Sequence, residues 1–75
     1  MSASTNRELA DRARQLAERS VGYQRRAALC ACVALGTTGT VGAARNALAD
    51  VLQGDVRAAA LDLVGQLAAA QGAPA

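Results

Sequence analysis

Val33-Ala34-Leu35-Gly36-Thr37-Thr38-Gly39-Thr40-Val41-Gly42-Ala43-Ala44 holds the clearest break in an otherwise helix-forming chain. Within it, Gly36-Thr37-Thr38-Gly39-Thr40 sets two Gly, each about 1 kcal/mol worse than Ala in a helix, beside three Thr that can cap the next one. Before the break, Tyr23 to Leu35 is apolar on nearly every side, the pattern of a buried helix. After it, Val41, Ala44, Leu48, Val51 and Leu52 recur at helical spacing, which predicts a third helix over Val41 to Gln53 with those side chains inward. Gly54 should stop that helix and Asp55 should cap a fourth, from Val56 to about Gln71, with Leu61, Val64, Leu67 and Ala68 inward. Gly72-Ala73-Pro74 terminates it, and residues 1–5 and 72–75 are expected to fray.

Upstream, Thr5-Asn6-Arg7-Glu8 fits a capping box, with Thr5 capping the N–H of Glu8 and Glu8 reaching back. Leu9, Ala13, Leu16 and Ala17 then follow at helical spacing against a face of Arg, Asp and Glu, so a first helix is predicted over Asn6 to Arg19. Ser20-Val21-Gly22 ends it, or else a single bent helix runs through this point. Leu9, Leu16 and Tyr23 are seven residues apart, as are Arg12, Arg19 and Arg26, which is what a continuous helix would use. The fold expected is all-α, a single domain over residues 1–75. It is either two helical hairpins in a small bundle of three to four helices, or a long bent helix with two shorter ones.

A faint repeat supports the hairpins. Arg26-Ala27-Ala28 and Arg57-Ala58-Ala59 lie 31 residues apart, and Val33 and Val64 keep the same offset. The segment Val56-Arg57-Ala58-Ala59-Ala60-Leu61-Asp62-Leu63-Val64-Gly65-Gln66-Leu67 resembles the second helix of a HEAT repeat, and the resemblance spans one hairpin, residues 42–70. A solenoid needs about three repeats to bury its core, so two hairpins imply folding on each other or pairing between chains.

The composition points the same way. Of 75 residues, 52% are apolar, but there is no Phe, Trp or Ile and Tyr23 is the one aromatic residue. Ala contributes most of that fraction, and at about 25 cal/mol per Å² of buried surface it stabilises little. A chain this short normally needs a disulfide, a metal or a second copy of itself. Close-packed helices completed by self-association, as a homodimer, are therefore expected.

All eight basic residues are Arg, which with abundant Ala, Gly and Val suggests a GC-rich bacterial genome. The net charge of +2 is uneven: Arg7, Arg12, Arg14, Arg19, Arg25 and Arg26 in the first third face only Glu8, Asp11 and Glu18. The charged N-terminal stretch does not read as a signal peptide, so a cytoplasmic location with reduced cysteines is the expectation.

Chemistry is sparse. With no His and no Lys, no standard base is available to activate a hydroxyl. Asp50, Asp55 and Asp62 fall at expected surface or cap positions, not paired in a cleft. Cys30 and Cys32 are two apart, on different faces of a helix, and two thiols without His do not fill a zinc site. They read as buried, inert thiols. The Gly-Thr-Thr loop lacks the Lys of a phosphate-binding loop. Val33 to Ala43 also resembles the Gly-Thr-Thr segment of pyridoxal-phosphate decarboxylases, a far longer fold whose cofactor Lys has no counterpart here. No enzyme activity, cofactor or metal is expected.

Two rival classes remain. Val33-Ala34-Leu35-Gly36-Thr37 followed by Thr40-Val41-Gly42-Ala43-Ala44 looks like the first two helices of a LysR-type DNA-binding domain, which would make the fourth helix the reader of bases. That helix carries Arg57 but also Asp55 and Asp62, which a duplex repels. Residues 27–44 are uncharged between Arg26 and Arg45, as in a single-span membrane protein, yet hold three Gly and three Thr against two Leu and two Val. The leading expectation is a non-catalytic protein–protein interaction or regulatory module acting as a homo-oligomer. Its self-association seam is expected at Leu9, Leu16 and Tyr23. Arg12, Arg19, Tyr23, Arg25 and Arg26 are expected to meet the carboxylates of a protein partner.

Overall fold

In the computed structural model, residues 2–71 are described, those of 2–5 by backbone alone, and they form four α-helices and no strand. They are α1 (Ser2–Arg19), α2 (Gly22–Thr37), α3 (Val41–Val51) and α4 (Gly54–Ala70). The radius of gyration of 10.8 Å is close to the roughly 11 Å expected of a compact chain this long. That excludes the long bent helix.

The reversal between α1 and α2 comes from two residues and a glycine. Ser20 hydrogen-bonds back through both its N–H (to the Ala17 carbonyl, 3.2 Å) and its hydroxyl (to the Leu16 carbonyl, 2.7 Å), closing α1. Val21 is extended, and Gly22 takes φ +63°, a conformation that costs other L-residues about 1–2 kcal/mol. The junction between α3 and α4 repeats this geometry, with Gln53 extended and Gly54 at φ +64°. The two turns are 32 residues apart, one more than the offset of the sequence repeat, so the hairpin recurs but the repeated residues fall one position out of step. The side-chain equivalence does not follow it, since Val64 is buried and Val33 exposed.

The hairpins stack. The side-chain amide of Asn6, at the start of α1, donates to the Thr38 carbonyl just after α2 (3.0 Å), so these helices run antiparallel. Tyr23 and Gln24 at the start of α2 share a crevice with Asp55 and Ala58 at the start of α4, and Ala27 and Ala28 share another with Leu63 and Gln66 further along, so α2 and α4 lie side by side in the same direction. The core between them joins Leu9, Leu35, Leu48, Val64 and Leu67 through a larger number of alanines.

Several expectations need correction. α1 begins before Asn6 and passes through Thr5, so Thr5 is not its cap and residues 2–5 continue the helix. The expected fraying at 72–75 lies outside the described residues. α2 extends to Thr37, because the Thr37 hydroxyl bonds the Val33 carbonyl (2.8 Å) and caps its own last turn. The loop is thus only Thr38 to Thr40, where the Thr40 hydroxyl accepts the Ala43 N–H (3.0 Å) as the cap of α3. α3 stops at Val51 and leaves that side chain 78% exposed, because the turn into α4 begins immediately after it. Asp55 is not the cap of α4. It sits in the first turn, where its charge complements the positive helix end. α2 is not buried all round: one face of alanines and Leu35 meets the core, while Leu29 and Val33 point out.

Candidate functional site: an apolar groove between α2 and α3

α2 touches the core through Ala27, Ala31, Ala34 and Leu35, which fixes the direction of its remaining side chains. At helical spacing the opposite stripe reads Arg25, Arg26, Leu29, Val33, Gly36 and Thr37, all exposed. Leu29 is 44% and Val33 63% accessible. α3 runs back alongside and presents Val51, Leu52 and Ala47 to the same side. Together Leu29, Cys30, Val33, Thr37, Ala47, Val51 and Leu52 line a groove of about 390 Å³ over a floor of Ala34 and Leu48. Its lining is almost wholly apolar. None of its lining residues is charged; the exposed Arg25 and Arg26 stand in the opening turns of α2 and the exposed Asp50 adjoins Val51 on α3.

The N-terminal arginines form a separate site. Arg12 and Arg19 lie one above the other on α1 and, with Glu8, Asp11, Gln15, Leu16, Leu67 and Gln71, line a polar crevice against the end of α4. The Gln71 amide reaches Glu8 across it (3.4 Å). Among the described residues the one ion pair is Arg14–Asp11 at 3.9 Å, so Arg12 and Arg19 keep their charges free. Arg25 and Arg26 are not part of this crevice, and Tyr23 lies elsewhere, half-exposed beside Asp55, Ala58 and Asp62 of α4. The predicted partner-binding set is therefore split among three places.

The structure does not bring Leu9, Leu16 and Tyr23 together on one surface. Leu9 is 0% exposed, at the centre of the protomer's own core, and Leu16 is half-buried at its edge. The chain reversal at Gly22 puts Tyr23 on a different helix, which breaks the seven-residue stripe. The same reversal removes Arg26 from the line of Arg12 and Arg19. Of the large apolar side chains left exposed, Leu29, Val33 and Val51 gather around the α2–α3 groove, while Val21 and Tyr23 stand apart from it.

The chain matches no family model, no curated protein and no solved structure. What can be said of the site thus rests on its own chemistry. Cys30 and Cys32 are free and half-buried, Cys30 on the groove wall, so the expectation of fully buried thiols is corrected. No group of three His, Cys, Asp or Glu side chains suited to a metal occurs among the described residues. Among those residues no helix is long and apolar enough to cross a membrane. Sequence reasoning missed Leu29, Val33 and Val51 as surface residues. It also missed Asn6, a buried amide whose two bonds to Thr38 tie the start of α1 to the end of α2.

Proposed function

We propose that this protein is a non-catalytic interaction module that works as a homodimer, its second copy covering the α2–α3 groove. The observation that carries the reading is the outward placement of Leu29, Val33 and Val51 around one groove, in a chain whose interior is mostly alanine. A core of this kind stabilises weakly by burial, and covering three exposed aliphatic side chains supplies what the protomer lacks. The groove is walled by two rigid helices and needs no rearrangement to receive a third. A second copy is the occupant favoured by charge. α2 carries two cations in its opening turns, no acid anywhere, and no basic residue in its last turn, so it complements itself when turned end for end.

With the groove occupied, the crevice of Arg12 and Arg19 remains free on α1, beside the exposed edge of Leu16. Its unpaired guanidinium groups suit the carboxylates of an acidic protein segment, although Glu8 and Asp11 on the same rim restrict which ones fit. Tyr23 is not assigned to either contact. The exposed acids of α4, Asp55 and Asp62, work against the DNA-binding alternative.

Light scattering coupled to size-exclusion chromatography, without detergent, tests the reading. A dimer is expected for the natural chain, free of nucleic acid. Val33→Asp should be a monomer with unchanged helical circular dichroism, since Val33 is exposed and its replacement leaves the protomer core intact. A natural chain that is monomeric up to millimolar concentration, or a Val33→Asp variant that still dimerises, would overturn it.

A further inference from the structure

We infer that the two copies pack α2 against α2 antiparallel, with Arg25 and Arg26 of each protomer seated on the carbonyl end of the partner's α2. The inference rests on the homodimer reading above and adds its register. α2 has three zones along its exposed stripe. Arg25 and Arg26 stand in its opening turns, Leu29 and Val33 in the middle, and Gly36 and Thr37 at the end.

A parallel pair would align like zones. Four guanidinium groups would then meet at one end without an acid on either helix to separate them, and like charges in contact are destabilising. An antiparallel pair whose axis crosses the exposed stripe midway between Leu29 and Val33 does the opposite. Leu29 faces the partner's Val33, four residues or about 6 Å along the axis, and Val33 faces the partner's Leu29. Arg25 and Arg26 reach the last turn of the partner's α2. That turn carries the negative end of the helix dipole and no basic side chain of its own. It is also physically open, since Gly36 has no side chain and a Cβ added there would meet nothing within 4 Å. The Thr37 and Thr38 hydroxyls already bond the Val33 and Ala34 carbonyls, so the partner's guanidinium groups, with five N–H donors each, are left the later carbonyls of the turn. One two-fold axis makes both contacts, so the sequence of α2 encodes its own partner.

A charge-swap cycle read by sedimentation equilibrium at low salt tests the register. Arg25→Glu/Arg26→Glu should weaken dimerisation by roughly tenfold, by setting acids against a helix C-terminus. Thr37→Arg alone should weaken it severalfold, by opposing the partner's arginines. The three changes together should restore association to near the natural level, because opposite charges again face each other. Helical circular dichroism of each variant checks that α2 stays folded, since Thr37→Arg also removes the hydroxyl that caps its last turn.

If the triple variant stays as weak as its parents, the antiparallel register is wrong. Preferential pairing in an equimolar mixture of natural chain and Arg25→Glu/Arg26→Glu, tighter than either alone, would establish the parallel arrangement instead. Both results overturn this inference and leave the homodimer standing. A natural chain that never dimerises removes both.

Discussion

α1 and α2 pack along each other, yet they dispose of their large apolar side chains in opposite ways. α1 turns Leu9 and the alanines at 10, 13 and 17 inward and leaves its charged residues outside. α2 meets the core chiefly with alanines and Leu35, and turns Leu29 and Val33 to the surface. Alanine on the inner face allows α1 and α4 to approach α2 closely from two sides. The larger aliphatics Leu29 and Val33 are then left on the outer face. One helix spends its large apolar side chains on the protomer's core, while the other leaves two of them on the surface.

The contrast can be broken most sharply at Leu9. Leu9→Ala should cost about 2–5 kcal/mol of unfolding free energy, measured by urea titration. Val33→Ala, assayed where the protein is monomeric, should stay within about 0.5 kcal/mol of the natural chain. Equal losses at the two positions would mean that the outer face of α2 is buried within the protomer after all.

The two glycine turns sharpen the distinction between positions that need glycine and positions that merely hold it. Gly22→Ala or Gly54→Ala should each destabilise by about 1–2 kcal/mol, because φ near +63° is strained for any side chain. Gly65→Ala, in the middle of α4 where an added Cβ meets nothing, should stabilise by about 0.5–1 kcal/mol. Thermal unfolding followed at 222 nm separates these signs. The smallest of the expected losses is the cap. Thr40→Ala should cost about 1 kcal/mol, through the lost bond to the Ala43 N–H, while the hairpin of α1 and α2 stays intact.

How far the sequence could be read depended on where charge marks a face. In α1 the arginines and acids outline the solvent side, so Leu9, Ala13 and Ala17 were legible as one stripe. The periodicity could not say what covers that stripe. Leu9 as a seam between copies and Leu9 as an interior residue give the same pattern, and only the path of the chain beyond Gly22 decides. α2 after Arg26 has no charge at all, so nothing in its apolar run distinguished Ala31, which is buried, from Val33, which is not. Val51 was misplaced by a single turn boundary, since α3 ends on it instead of continuing to Gln53. Asn6 left no signal, because a polar residue in the first turns of a helix ordinarily faces water.

The brevity of the joints has a kinetic consequence. Consecutive helices are separated by two or three residues, so most packing joins neighbours in sequence and little entropy is lost in closing loops. Helical chains of such low contact order fold in microseconds to milliseconds. Pairing of two protomers is second order and slows as the protein is diluted. If two copies pair as proposed, each newly made chain passes through a folded, solitary stage with its groove open, whose lifetime is set by how many copies surround it.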